Sequence, residues 1–134
     1  MPEFVTAFAV LAAHDLERAR AWYAEKLGLK PVMSLEESRT DIYVVNGAQF
    51  TIYQTPSAGT AKNTELGFVV ADLRGVMAEL RSRGVVFEDY DMADGPTTVG
   101  GVSGDEATGM AAWFTDSEGN ILNLVQVPPG FPLP

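Results

Sequence analysis

The sequence contains no cysteine, a single histidine and few basic residues. The lack of cysteine excludes disulfides, thiolate metal sites and cysteine nucleophiles. The chain has nine Lys and Arg residues and eighteen Asp and Glu residues, which gives a formal net charge of −9. Nucleic-acid binding depends on basic side chains that neutralise phosphates, so this charge balance argues against it.

Long apolar runs are also missing. No stretch approaches the roughly 18 residues that span a bilayer, and no charged-then-apolar signal segment opens the chain. We therefore expect a cytoplasmic protein that has neither a membrane partner nor a nucleic-acid partner. Its 134 residues, of which 46% are hydrophobic and 20% are charged, predict a single domain over residues 1–134.

Two parts of the chain resemble each other. Asp15 and Asp72 each precede a stripe of apolar residues at helical spacing. A short carboxylate at that position accepts hydrogen bonds from the free N–H groups of the first helical turn, so both aspartates are predicted N-caps. Gly28 and Gly84 stand where a left-handed residue ends a helix. The sequence thus predicts two helices in equivalent places.

Strand-like segments surround each predicted helix. A matched pair, Gln54 and Gln126, lies near the end of the last strand of each half. The predicted arrangement is β-α-β-β-β, once over residues 4–56 and again over residues 65–128. The strands expected after the helices are 30–35, 39–45 and 48–55 in the first module and 85–89, 111–115 and 121–127 in the second.

Alternation along the strands assigns their side chains to two faces. One face is apolar and should pack on the helices, whereas the other mixes apolar groups with Thr51, Tyr53, Glu65 and Asn123. We therefore predict an α+β fold in which the two tandem modules form a curved mixed sheet with the helices on its convex side. Its concave cleft, apolar with a few polar groups, is typical of a small-molecule site.

Three segments carry a resemblance to a known family. Residues 15–29 read DLERARAWYAEKLGL, residues 67–73 read GFVVADL and residues 115–126 read TDSEGNILNLVQ. In these segments the chain resembles the vicinal oxygen chelate superfamily, which includes glyoxalase I, extradiol dioxygenases, fosfomycin-resistance proteins and bleomycin-resistance proteins. The resemblance covers nearly the whole chain and implies the same fold.

The resemblance also implies where a metal would bind. The metalloenzymes of this superfamily take ligands from the first and the last strand of each module, positions that correspond here to Phe8, Thr51, Glu65 and Asn123. Of these, Glu65 alone is a strong ligand, because nickel, zinc, iron and manganese favour imidazole or carboxylate groups. The one histidine, His14, is expected beside a helix start instead. We therefore predict no metal and no cofactor.

Glu65 and Trp113 are the sharpest functional candidates. On the cleft face Glu65 would act as a base or bind a cation; the alternative is a solvated carboxylate at the start of a strand. Trp113 belongs either to the core or to the cleft face, where it would stack on a flat or cationic ligand. The predicted ligand-binding residues are Phe8, Thr51, Tyr53, Glu65, Trp113 and Asn123.

The resemblance to the metal-free bleomycin-resistance proteins implies a homodimer that binds a small hydrophobic or cationic molecule. Two enzymatic alternatives stand beside it. One is a metal-independent lyase or isomerase with Glu65 as its acid/base group, and the other is a metal-dependent lyase or dioxygenase with atypical ligands. The acidic, glycine-rich segment 88–110 is either a flexible cover over the cleft or a plain connection.

Overall fold

Each half of the chain folds as one strand, one helix and three further strands. The structure, a computed structural model, describes residues 2–133. Within them the first half comprises β1 (Ala9–Ala13), α1 (Leu16–Trp22) with a π-helical turn (Tyr23–Leu27), β2 (Met33–Leu35), β3 (Thr40–Val45) and β4 (Ala48–Gln54). The second half comprises β5 (Thr64–Val69), α2 (Leu73–Ser82), β6 (Ser103–Asp105), β7 (Gly109–Thr115) and β8 (Ile121–Gln126). The predicted α+β class and the repeated β-α-β-β-β order are confirmed.

The chain also divides into two compact units, whose limits differ from those of the two halves. The first unit contains the residues up to Glu65 together with Asp116–Asn120. The second contains Leu66–Thr115 and the residues from Ile121 onward. The turn between β7 and β8 therefore belongs to the first unit, although the strands on either side of it belong to the second.

The predicted single domain over residues 1–134, with modules at 4–56 and 65–128, stays a prediction. Met1 and Pro134 lie outside the described residues. Among the residues that the structure describes, no helix is long and apolar enough to cross a membrane.

The first sheet has the strand order β1-β4-β3-β2, in which β1 runs parallel to β4 and the other pairs are antiparallel. One of its sides is strongly aromatic. The rings of Tyr43 and Phe50 stack with their centroids 4.8 Å apart, and the ring of Tyr23, which follows α1, lies 5.7 Å from Tyr43. All three side chains are buried. They form the core between this sheet and α1.

The second sheet has the strand order β5-β8-β7-β6, and β7 runs antiparallel to both of its neighbours. Alternate residues of β7 and β8 are buried, and α2 packs on these two strands. The buried residues of this layer are Ala112, Phe114, Leu122 and Leu124 from the strands and Leu73, Met77 and Leu80 from α2. The residues between them on β7 and β8 therefore lie on the side of the sheet that faces away from α2.

Both predicted N-caps are confirmed. The carboxylate of Asp15 accepts a hydrogen bond from the N–H of Arg18 at 3.0 Å, and that of Asp72 accepts one from the N–H of Gly75 at 3.1 Å. Each cap satisfies one N–H group that has no acceptor within its helix. The two aspartates at equivalent places in the sequence thus begin equivalent helices in the structure.

The repeated glutamines serve the same helix starts. The Oε1 atom of Gln54 accepts from the N–H of Leu16 at 3.1 Å, and that of Gln126 accepts from the N–H of Leu73 at 2.9 Å. Each glutamine ends the last strand of its module, so it fastens that strand to the first residue of the helix in the same module. This shared task explains why both glutamines occupy equivalent positions in the two halves.

The strand predicted at 85–89 is wrong, because the structure places the corresponding strand at β6 instead. The N–H of Glu88 does donate to the carbonyl of Trp113 at 2.9 Å. The next side chain, Asp89, then accepts a hydrogen bond from the N–H of Gly101 at 2.7 Å. A short carboxylate that bonds to nearby backbone groups competes with a strand ladder, and here it draws the chain into a loop.

Candidate functional site

Two of the predicted ligand-binding residues, Thr51 and Tyr53, lie on the side of the first sheet that faces away from its core. Thr51 stands opposite Val10 in the parallel β1–β4 pair, and Tyr53 lies two residues further along the same face of β4. Phe8 comes directly before β1, outside the paired residues of the strand. Thr51 is only 6% exposed, whereas Tyr53 is 40% and Phe8 is 52% exposed. The two rings are accessible, and the threonine is enclosed.

Glu65, the candidate base or cation-binding group, is half-buried as the second residue of β5 and belongs to the first unit. Its effect is visible on Tyr23. Burial, followed by the nearby Asp116, raises the pKa of the Tyr23 hydroxyl well above its usual range, and the charge of Glu65 adds to this rise. The Glu65 carboxylate is therefore close enough to the interior of the first unit to influence a buried phenol.

Trp113 and Asn123 come together in the second unit. They are directly opposite each other in the antiparallel β7–β8 pair, on the side that faces away from α2. The Asn123 amide lies over Gly67 of β5, where an added Cβ atom would stand 2.5 Å from Asn123 Oδ1. Gly67 thus leaves the space that the amide occupies. An indole and an amide share one face here, and both are half-buried.

Tyr90, which no pattern in the sequence singles out, joins this group. Its ring stands nearly perpendicular to that of Trp113, at an interplanar angle of 85° and a centroid distance of 5.7 Å. Burial, followed by the charge of Glu88, raises the Tyr90 pKa, so the phenol is neutral at physiological pH. The one signal in the sequence is its place within the acidic segment 88–110, the candidate cover of the cleft.

The donor chemistry of the four positions implied by the resemblance does not fit a transition metal. A phenyl ring at Phe8 cannot ligate, and the hydroxyl of Thr51 and the amide of Asn123 are weak donors, which leaves one carboxylate at Glu65. His14 is exposed beside the N-cap of α1. Within residues 2–133, no three His, Cys, Asp or Glu side chains are grouped so that they could hold a metal ion.

A polar cluster at the β7–β8 turn is likewise not apparent from the sequence. Glu118 is 5% exposed, and its carboxylate accepts from the N–H of Asp15 at 2.9 Å, from Arg18 Nε at 2.8 Å and from Ser117 Oγ at 2.7 Å. Burial opposes its ionisation, but these hydrogen bonds outweigh burial and lower the pKa of Glu118 to about 2. A carboxylate so fully engaged holds structure in place and is not available as a catalytic base.

Asp116 completes this cluster. Its buried carboxylate accepts a 2.6 Å hydrogen bond from the hydroxyl of Tyr23 and a 2.8 Å bond from the side-chain amide of Asn120. The same Asn120 amide donates to the carbonyl of Ala12 at 2.8 Å. All these groups belong to the first unit. From the sequence, the segment 116–120 indicated only a hairpin turn, because its partners lie about a hundred residues away along the chain.

Comparison with known proteins settles the family. A model of the Glyoxalase/Bleomycin resistance protein/Dioxygenase superfamily matches residues 6–124. The chain belongs to this superfamily. The resemblance carried by the sequence segments is thereby confirmed. No curated protein matches the chain.

Solved structures show the superfamily fold at low sequence identity. An integron cassette protein from the mobile metagenome of Halifax Harbour Sewage Outfall is 17% identical, covers 92% of this chain and 100% of its own, and has a TM-score of 0.67. The fosfomycin resistance protein FosX from Listeria monocytogenes is 14% identical, covers 96% of this chain and 97% of its own, and has a TM-score of 0.67. A glyoxalase/bleomycin resistance protein from Catenulispora acidiphila is 24% identical, covers 93% of this chain and 100% of its own, and has a TM-score of 0.62. At these identities the superfamily members share the fold, which by itself does not assign an activity.

Proposed function

We propose that this superfamily member is a metal-independent protein that binds a small hydrophobic or cationic molecule. The observation that carries the proposal is the chemistry of Phe8, Thr51, Glu65 and Asn123, which offer a single carboxylate where a metalloenzyme needs several strong ligands. Apolar and amide groups of this kind suit an organic ligand better than a metal ion.

Accessible aromatic groups and negative charge support the choice of ligand. Phe8 and Tyr53 are 52% and 40% exposed, and Trp113 is half-buried. Such rings bury a large apolar area when they bind a ligand, and they attract cations to their faces. The net charge of −9, together with Glu65, favours a cationic or neutral molecule over an anionic one.

We further propose that the protein works in the cytoplasm as a homodimer, without a nucleic-acid partner. The open side of the first sheet supports the dimer, because Val10, Leu35 and Val44 are 52%, 44% and 45% exposed there. Apolar residues grouped on an exposed surface are typical of interaction sites. A twofold interface on this side would also bring the partner subunit beside the ligand-binding residues Thr51 and Tyr53. A sedimentation experiment that gave a monomer at micromolar concentration would contradict the dimer.

Elemental analysis tests metal independence. We expect protein purified without a chelator and then dialysed to hold far less than one equivalent of zinc, nickel, iron or manganese. Ligands are then sought by a thermal-shift screen of small cations and neutral aromatics, run with and without added manganese. A stoichiometric metal, or ligand binding that appears only with manganese, would overturn the proposal.

The substitution Glu65→Gln separates a binding protein from an enzyme. In a binding protein we expect affinity for a cationic ligand to fall about ten- to a hundredfold, because a charge-assisted contact contributes about 1.5–3 kcal/mol. In an enzyme that uses Glu65 as its base, turnover would be lost while affinity stayed nearly the same. Glu37→Gln removes the same charge from an exposed position of the first unit and serves as the matched control.

A further inference from the structure

We propose that Tyr90 and Trp113 form an aromatic corner that receives an alkylated ammonium group of the ligand. This inference rests on the proposed function and narrows its ligand class. The two rings meet almost at a right angle, with an interplanar angle of 85° and centroids 5.7 Å apart. Aromatic faces carry partial negative charge, and perpendicular rings of this kind enclose quaternary and methylated ammonium groups in proteins.

The path of the backbone explains how Tyr90 reaches Trp113. On the α2 side of the second sheet, the ring of Phe87 packs edge-on against Phe114 at 5.5 Å. At the edge of β7, the N–H of Glu88 donates to the carbonyl of Trp113 at 2.9 Å. The chain thus crosses the strand edge between residues 87 and 90, and Tyr90 meets Trp113 on the opposite side from Phe114.

Hydrogen bonds then hold Tyr90 in this place. Its N–H donates to Thr98 Oγ1, and its carbonyl accepts from the N–H of Thr98, both at 2.8 Å. The Thr98 hydroxyl donates to Asp89 at 2.7 Å, and Asp89 also accepts from the N–H of Gly101 at 2.7 Å. These two bonds, the one from Thr98 first, lower the pKa of Asp89 and keep it charged. An exposed connection does not need this network, whereas a binding residue gains affinity from being held in position before the ligand arrives.

The charge around the corner selects a cation. Arg83 is the last basic residue of the sequence, and the residues after it include eight Asp and Glu. Four of these, Glu88, Asp89, Asp91 and Asp94, lie within four residues of Tyr90 along the chain. A negative field of this kind repels phosphates and carboxylates and attracts ammonium groups. Because the Tyr90 phenol is neutral, the attraction to its ring comes from the face of the ring and not from a phenolate.

The test uses the fluorescence of Trp113. Trp22→Phe removes the other tryptophan of the chain, so the emission of this variant reports on Trp113 alone. The variant is titrated with choline and with 3,3-dimethylbutan-1-ol, which has the same shape without the charge. We expect choline to bind at least about tenfold more tightly than the alcohol, since a partly desolvated cation–π contact has that order of strength.

Substitutions in the same background locate the binding site. We expect Tyr90→Leu to weaken choline binding about tenfold and Tyr90→Phe to preserve it, because phenylalanine keeps the aromatic face. Thr98→Val keeps both rings but removes the hydroxyl that fixes Tyr90, so it should weaken choline binding. It also supplies the comparison if Tyr90→Leu does not fold. Phe4→Leu removes an exposed ring outside the second unit and is the control.

Equal binding of choline and the alcohol would overturn the inference, as would equal effects of Tyr90→Leu and Phe4→Leu. A ligand from the thermal-shift screen that depends on Glu65 but not on Tyr90 would also overturn it, and the proposed function would stand. Choline binding that depends on Tyr90, in a protein that carries a stoichiometric metal, would support the corner and refute metal independence. If neither choline nor any screened molecule binds, both proposals fail.

Discussion

Glu118→Gln should destabilise the protein by about 2 kcal/mol at pH 7. The Glu118 carboxylate has a pKa of about 2 against an ordinary value of 4.5. A difference of that size corresponds to about 3 kcal/mol of stabilisation at neutral pH. The Glu118 side chain is fully buried, but that of its partner Arg18 is 54% exposed, so solvent screens part of the interaction. Glutamine also keeps one acceptor oxygen, and both facts reduce the expected loss to about 2 kcal/mol.

Urea unfolding followed by circular dichroism measures this loss. In thermal unfolding the same loss should lower the melting temperature by about 7 °C. Because the folded-state pKa is lowered, the contribution of Glu118 is fully present above pH 4.5 and is lost as the pH falls through about 2. The difference between the two proteins should therefore shrink below pH 4.5. Glu79→Gln breaks an exposed pair with Arg83 and should cost less than about 0.5 kcal/mol. Equal losses for the two variants, or a difference that stayed constant down to pH 2.5, would refute the reasoning.

Two further predictions concern buried tyrosines and one glycine. Tyr43→Phe should raise the free energy of unfolding by up to about 1 kcal/mol, because the buried Tyr43 hydroxyl has no hydrogen-bond partner among the described residues. Tyr23→Phe should instead lower it by about 1–3 kcal/mol, since it removes the donor to Asp116. Urea unfolding measures both variants, and equal changes in the free energy of unfolding would contradict this account. Gly67→Ala should change stability by less than about 1 kcal/mol but weaken ligand binding, because the new methyl group displaces the Asn123 amide. Unchanged affinity in a thermal-shift titration would remove Asn123 from the binding residues.

The sequence predicts well those features whose chemistry is local or repeated. Asp15 and Asp72 act within the first turn that follows each of them, so residue type and spacing were enough to place both helix starts. The duplicated glutamines, Gln54 and Gln126, were visible as a pair, although their task of binding the first N–H of each helix appears only in the structure. Period-two alternation likewise separated the buried residues of β8 from the others, whereas in β4 it missed the burial of Thr51 on the opposite face.

Features that join distant parts of the chain escaped prediction. Glu118 looks like an ordinary turn residue, and nothing near it indicates that its partners are Asp15 and Arg18. Tyr90 lies in a segment without periodicity, so the strand expected just before it was placed by analogy with the first half. The side chain of Asp89 overrides that analogy, since its bonds to Thr98 and Gly101 stabilise a loop. The proposal of metal independence depends on which residue types stand at the implied ligand positions, and these can be read directly from the sequence.

The turn Asp116–Asn120 limits how this protein can be divided or recombined. A fragment that ended in the linker after β4 would keep α1 and the whole first sheet but lose this turn. Without the turn, the hydroxyl of Tyr23 and the N–H of Asp15 would lose their hydrogen-bond acceptors. The carbonyl of Ala12 would lose its hydrogen-bond donor. Swapping one module with a relative would raise the same difficulty unless the donor carried matching residues at the turn. The repeat visible in the sequence is therefore not a pair of interchangeable parts, and we expect a viable chimera of this protein to move residues 116–120 together with the first module.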